Sequence, residues 1–210
     1  GINRMMGRSG VMRRGETWVI GALQHNYKSG FTRDLFRHFA MYNKPFMKDD
    51  SKKPLLIHIS LEDDLTINIL RLYRNIKENL TLEPVDISTE NMSKEEKLAF
   101  EKAAAAYIKE QMGVNGFHIE MMRINPSEFT IHDFKDMVTR FETEGYEIHA
   151  IVVDYLSMAN KSGLDRSGPT GSDIRELFRR ARNITSARNI LFITPHQLST
   201  EAKMLVRQGV

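Results

Sequence analysis

A lysine followed by a serine stands shortly after a short apolar segment near the start of the chain, in TWVIGALQHNYKSGFT (residues 17–32). A phosphate-binding loop leads from a strand through a tight turn into a helix, so that backbone N–H groups face an anion. Lys28 would then reach the β- and γ-phosphates of a nucleotide, and the Ser29 hydroxyl would join a Mg²⁺ shell. The predicted phosphate-binding residues are Gln24, His25, Asn26, Tyr27, Lys28, Ser29 and Gly30.

Tyr27 stands where such loops normally place a glycine, directly before the lysine. If Tyr27 adopts a left-handed backbone conformation, the strain is on the order of 1–3 kcal/mol. That cost is small beside the binding energy of a triphosphate, although it would weaken affinity. The alternative is that Lys28 and Ser29 simply begin a helix.

An acidic residue follows a second apolar segment, in IHISLEDD (residues 57–64). A carboxylate at the end of a buried strand can orient an attacking water as general base, which is the role we predict for Glu62. The alternative is that Glu62 caps the helix that follows, because acidic side chains are favourable at helix N-termini.

A third apolar segment ends in an aspartate, in HAIVVDYLSM (residues 149–158). This arrangement presents a carboxylate to a nucleotide-bound Mg²⁺, so we predict that Asp154 and Ser29 hold the metal. The alternative is an aspartate that only terminates a strand at a turn.

A polar pair ends a fourth segment, in ILFITPHQLS (residues 190–199). The amide of Gln197, beside His196, stands where it would sense a γ-phosphate. The alternative is a solvated pair in a loop.

The elements that must position these residues alternate between strand-like and helical patterns. The nearly continuous apolar character of several segments is typical of strands buried on both faces of a parallel sheet. Ser93 and Thr130 begin helical patterns that stop at Gly113 and Gly145, and residues 80–116 are predicted to be mostly helical. The sequence therefore predicts an α/β fold with strands at 17–22, 54–60, 117–124, 147–154 and 189–195.

Parallel strands bring their carboxyl ends to one edge of a sheet, where ligands of such folds usually bind. Four predicted strand ends carry Lys-Ser, Glu, Asp and Gln in chain order. We therefore expect these groups to converge around one magnesium triphosphate.

The composition is that of an ordinary globular protein, with 210 residues, 41% hydrophobic and 27% charged. The absence of cysteine excludes disulfides and thiolate zinc sites. The net charge of +3 permits nucleic-acid binding without requiring it, and basic clusters such as RELFRRARNITSAR are equally compatible with a solvated helix face. No apolar segment approaches the ~18 residues that span a bilayer.

These motifs resemble the RecA-like motor domain of DnaB-type replicative DNA helicases, including those encoded by bacteriophages. TWVIGALQHNYKS is similar to the Walker A segment, LIHISLEDD to the strand that carries the catalytic glutamate, IVVDYLSM to Walker B, and ITPHQLS to the sensor strand. The order and spacing of Ser-Leu-Glu, Asp-Tyr-Leu and Gln-Leu are specific to few P-loop families. Two residues depart from the pattern: Tyr27 replaces a glycine, and His196 stands where a serine is more usual.

The resemblance implies that residues 1–210 form a RecA-like P-loop ATPase motor domain that is incomplete at its C-terminus. It implies ATP and Mg²⁺ as ligands, Glu62, Lys28 and Gln197 as catalytic residues, and a cytoplasmic location, in the host cell if the protein is phage-encoded. It also implies a hexameric ring on single-stranded DNA with a primase or helicase loader as partner, and no membrane. The family's arginine finger lies beyond Val210.

Two other interpretations stay open at this point. A RecA-like recombinase or mediator shares the fold and the DNA partner, but it forms filaments. A catalytically weak assembly module would keep the fold, with Tyr27 marking a degraded loop.

Overall fold

The computed structural model describes residues 12–23, 26–164, 169, 171–198 and 204. Within these residues one sheet contains β1 (Thr17–Ala22), β2 (Lys53–Ser60), β3 (His118–Arg123), β4 (Tyr146–Asp154) and β5 (Leu191–Gln197). The strand order is β1-β5-β4-β2-β3, and every neighbouring pair is parallel. The predicted α/β fold with a mostly parallel sheet is confirmed.

Helices flank this sheet and connect its strands. They are α1 (Lys28–Tyr42), α2 (Leu65–Thr81), α3 (Lys94–Gly113), α4 (Ile131–Thr143) and α5 (Ser172–Ser186), with a 3₁₀ turn at Leu156–Met158. None of the helices in the described part of the chain is both long and apolar enough to cross a lipid bilayer.

Two of the helix starts have the local signals that the sequence predicts. The Ser93 side chain accepts a hydrogen bond from the N–H of Glu96, whose carboxylate accepts one from the N–H of Ser93. Thr130 and Asp133 form the same reciprocal pair at the start of α4. These pairs satisfy backbone donors that a helix leaves free, so both starts are determined within four residues of sequence.

The core has two layers, one on each face of the sheet. Alternate residues of β2 divide between them: Leu56 packs with α1, α2 and α3, whereas Ile57 and Ile59 pack with α4 and α5. The two central strands β2 and β4 are buried over most of their length, in agreement with their continuous apolar sequences.

The element boundaries differ from the predicted ones by a few residues where a left-handed residue intervenes. Asn189 has φ 56° and lies in a turn, so β5 begins at Leu191. Leu82 has φ 60° and ends α2, and the chain then lacks regular secondary structure until α3 begins at Lys94. Region 80–116 is therefore helical mainly through α3.

Candidate phosphate-binding site

A cavity of about 560 Å³ lies where the carboxyl ends of β1, β2 and β5 meet. Its walls come from the loop before α1, from the residues that follow β2, from Gln197 at the end of β5, and from one face of α2. The side chains around it are mostly polar and charged. The position of the cavity at the edge of an open α/β sheet and the polar side chains around it both suit an anionic ligand.

The loop between β1 and α1 presents the first turn of a helix to this cavity. A helix leaves its first N–H groups without intrahelical acceptors, so the amides of Lys28, Ser29 and Gly30 are available to an anion. The Lys28 ammonium donates a long hydrogen bond, 3.4 Å, to the carbonyl of Leu23. The predicted loop residues Gln24 and His25 lie outside the described residues, whereas residues 26–30 all line the cavity.

Tyr27 takes the left-handed conformation that a glycine would take at this position. Its backbone angles are φ 56° and ψ 29°, and it serves as the N-cap of α1 without a side-chain cap hydrogen bond. Because a Cβ atom clashes in this region of backbone space, the residue stores strain of roughly 1–2 kcal/mol. The strain anticipated from the sequence is thus present.

The ring of Tyr27 covers Gly30. A Cβ built on Gly30 would overlap three ring carbons of Tyr27, so the ring rests on the glycine backbone. The tyrosine is nevertheless 70% exposed, because its other face is open to solvent. The ring therefore stands over the first turn of α1, beside the amides that would bind phosphate.

Glu62 points to the cavity and does not cap α2. The N-cap of that helix is Asp64, whose side chain accepts a hydrogen bond from the N–H of Thr66 at 2.8 Å. The alternative interpretation of Glu62 as the helix cap is therefore wrong. The N–H of Leu61 donates to the carbonyl of Asp154 at 2.7 Å, which ties the end of β2 to the end of β4.

Asp154 is completely buried, and its carboxylate has no hydrogen-bond partner of ordinary geometry among the described residues. Burial raises its pKa to about 6; the nearby Ser29 hydroxyl and Arg33 lower it in part, while Asp63 and Glu62 raise it further. The hydroxyl is thus close to the carboxylate without forming a well-directed hydrogen bond. A buried carboxylate without a partner is costly, so the site is one that a cation would stabilise.

The polar pair at the end of β5 divides between the two faces of the sheet. Gln197 lies opposite Ala22 in the β1–β5 register and lines the cavity. The His196 ring packs edge-on against Phe178 of α5, and its buried Nδ1 has no hydrogen-bond partner in the described ranges of the chain. Only the glutamine therefore belongs to the candidate site.

Three arginines that the sequence did not single out also line the cavity; they are Arg33, Arg71 and Arg74. Arg33 lies on α1, one turn after Ser29, and is buried with its guanidinium donating to Asn68 at 2.7 Å. Arg71 lies on α2 and donates to Asp63 at 3.1 Å. The spacing of four residues between Ser29 and Arg33 is the signal that was available for Arg33. No local pattern marks the other two arginines.

Comparison with known proteins identifies the family. A sequence profile of the family described as "Divergent DnaB-like ATPase" matches residues 1–210. The chain belongs to this family. No protein with curated annotation matches this sequence.

A solved structure described as a DnaB-like replicative helicase and its interactions with primase has the same fold. The superposition has a TM-score of 0.62 with 13% sequence identity, and it covers 92% of this chain. The chain spans 41% of the length of that helicase chain.

A magnesium ion fits the donor set of this site. Within the described residues no three acidic or histidine side chains cluster as a self-sufficient metal site. Mg²⁺ does not need such a cluster, because it is usually held by one or two protein oxygens together with waters and substrate phosphates. The unpartnered Asp154 carboxylate beside the Ser29 hydroxyl matches that requirement.

Proposed function

We propose that this chain is an ATP-hydrolysing motor domain that acts on single-stranded DNA, as part of a ring-forming replicative helicase. One observation carries the proposal: Lys28, Ser29, Glu62 and Gln197 surround a single cavity. The buried carboxylate of Asp154 lies next to it, close to Ser29. An ATPase site needs this combination of a cation, a metal ligand, a general base and a γ-phosphate sensor.

In the proposed mechanism the loop binds the phosphates and the strand ends carry the reactive groups. The Lys28 ammonium exchanges its long hydrogen bond to Leu23 for the β- and γ-phosphate oxygens. Ser29 and Asp154 would hold Mg²⁺, which neutralises charge on those oxygens when bound. Glu62 accepts a proton from the attacking water, and the Gln197 amide contacts the γ-phosphate.

The partners follow from the family and from the resemblance of the motifs. We propose a hexameric ring, a primase or a helicase loader as partner, and a cytoplasmic location. The support for a primase is the solved DnaB-like helicase whose description includes its interactions with primase.

ATP turnover with and without single-stranded DNA tests this function. We expect Mg²⁺-dependent turnover that DNA stimulates and that falls with added salt, because binding a phosphate backbone releases counterions.

Lys28→Ala should lower MgATP affinity by at least about tenfold, since it removes the cation that contacts two phosphates. Lys135→Ala, an exposed lysine on α4, is the matched control and should match wild type. Equal ATP turnover with and without DNA, together with unchanged turnover in Lys28→Ala, would contradict the proposal.

A second candidate function is favoured by the ring of Tyr27 over Gly30. If the ring excludes nucleotide, the chain is a RecA-fold assembly module without ATPase activity. Titration calorimetry with MgATP distinguishes the two functions, because the inert module gives no binding heat at millimolar nucleotide.

Removing the Tyr27 ring should strengthen nucleotide binding. We expect both Tyr27→Gly and Tyr27→Ala to tighten MgATP binding by about tenfold, because the ring no longer covers the first turn of α1. The two variants differ only in backbone strain, so Tyr27→Ala should be less stable than Tyr27→Gly by about 1 kcal/mol. Calorimetric titration and urea unfolding measure the two effects separately. Weaker binding in both variants would mean that the ring contacts the nucleotide.

A further inference from the structure

Asp63 binds two arginines at the Glu62 end of the cavity. Its carboxylate accepts a hydrogen bond from Arg71 at 3.1 Å and a longer one from Arg33 at 3.5 Å. Asp63 follows Glu62 directly in the chain, and both arginines line the same cavity as the phosphate-binding loop. The proposed site therefore contains these two cations next to the proposed general base, in addition to Lys28 and to the exposed Arg74.

The two arginines are held very differently. The Arg33 side chain is 8% exposed, and it also donates to Asn68, which is completely buried. The Arg71 side chain is 46% exposed, and Asp63 is its sole hydrogen-bond partner among the described residues. A half-exposed ion pair contributes at most about 1 kcal/mol, so Arg71 can exchange its partner at little cost. Arg33 is fixed in place.

The exchange leaves no carboxylate unpaired. Asp63 keeps its interaction with Arg33 when Arg71 departs. The negative charge of Asp63 is then still balanced by the positive charge of Arg33. An incoming terminal phosphate carries more negative charge than a carboxylate, and guanidinium binds its oxygens in a bidentate manner. A phosphate near Glu62 is therefore a stronger partner for Arg71 than Asp63 is.

We propose that Arg71 binds the terminal phosphate of the nucleotide from within the same chain, after leaving Asp63. This inference rests on the proposed function, because Glu62 marks the end of the cavity where the γ-phosphate would lie. An arginine at that position stabilises the charge that spreads over the γ-phosphate oxygens in the transition state. Arg33 then acts as a positioning residue that holds Asp63.

Steady-state kinetics of variants at this position test the proposal. We expect Arg71→Ala to lower kcat at least about tenfold while KM changes less than about threefold, because the contact strengthens in the transition state. Arg71→Lys should recover only part of the loss, since an ammonium cannot bind two oxygens in the same fork. Arg140→Ala is the matched control: Arg140 lies on α4, and its side chain is 62% exposed and paired with Glu144, the C-cap residue of this helix. The kcat and KM of this control should equal those of wild type.

A binding measurement separates this proposal from the proposed function. Calorimetric titration should show that Arg71→Ala weakens binding of MgATP by a measurable factor below about threefold but leaves MgADP unchanged, because only ATP carries the terminal phosphate. This readout remains informative if wild type binds nucleotide without hydrolysing it. Unchanged kcat together with unchanged MgATP affinity, or equal weakening for both nucleotides, would overturn the role of Arg71. Absence of nucleotide binding by wild type would overturn the proposed function and this inference together.

Discussion

Replacing Glu62 with glutamine is expected to lower the ATP turnover number by about 100-fold or more, because the variant cannot accept a proton from the attacking water. The substitution keeps the size and the polar character of the side chain. Since Glu62 is exposed and has no role in capping α2, folding stability should change by less than about 0.5 kcal/mol. MgATP affinity should stay within about threefold of wild type, because the general base acts on water and not on the nucleotide.

Single-turnover hydrolysis and MgATP titration on the same preparation measure these quantities. Glu78→Gln is the matched control, since Glu78 lines the same cavity from α2 and its carboxylate is held by the N–H of Val85. We expect its turnover to equal that of wild type. If Glu62→Gln hydrolyses ATP at the wild-type rate, another group activates the water and Glu62 loses the role.

Replacing Asp154 with asparagine is expected to abolish Mg²⁺-dependent nucleotide binding while making the metal-free protein more stable at neutral pH. The carboxylate is completely buried and has no hydrogen-bond partner within the part of the chain that the structure describes, and burial raises its pKa to about 6 from an ordinary value of 3.8. A shift of this size corresponds to about 3 kcal/mol of destabilisation at pH 7.5. Asparagine removes the charge but leaves an amide to desolvate, so we expect a net gain of about 1–2 kcal/mol.

The pH dependence has a definite sign. Because the folded state binds the Asp154 proton more tightly than the unfolded chain, the contribution of Asp154 to wild-type stability falls as the pH rises from about 4 to about 6. The stability advantage of Asp154→Asn should grow over the same interval and stay constant above it. Urea unfolding in the absence of Mg²⁺ measures this difference, and Asp136→Asn, an exposed aspartate on α4, is the control.

Adding MgATP should make wild type more stable than Asp154→Asn, the reverse of the order expected without ligand. MgATP stabilises a protein that binds it, so wild type should gain stability with nucleotide and Asp154→Asn should not. If Asp154→Asn is less stable than wild type without metal, the carboxylate has a partner in solution and does not need a cation.

The elements of this protein were largely predictable because their signals are local. The capping pairs at Ser93 and Thr130 lie within four residues, and the apolar runs of β2 and β4 mark strands buried on both faces. The convergence of Lys28 and Glu62 was predictable too, since parallel strands place their carboxyl ends at one edge. The roles assigned to these residues stay predictions until the variants are measured.

Only the tertiary structure determined which residues that are distant in sequence contact each other and in which direction individual side chains point. In the folded chain the ring of Tyr27 lies over Gly30, and Asp64 caps α2 in place of Glu62. The side chains of His196 and Gln197 lie on opposite faces of the sheet. The tertiary structure also brought Arg71 of α2 to the site and removed Asp154 from solvent. The physical reason is that a local pattern specifies which face of an element is apolar. Burial, ion pairing and the direction of a single side chain depend on every element packed around it.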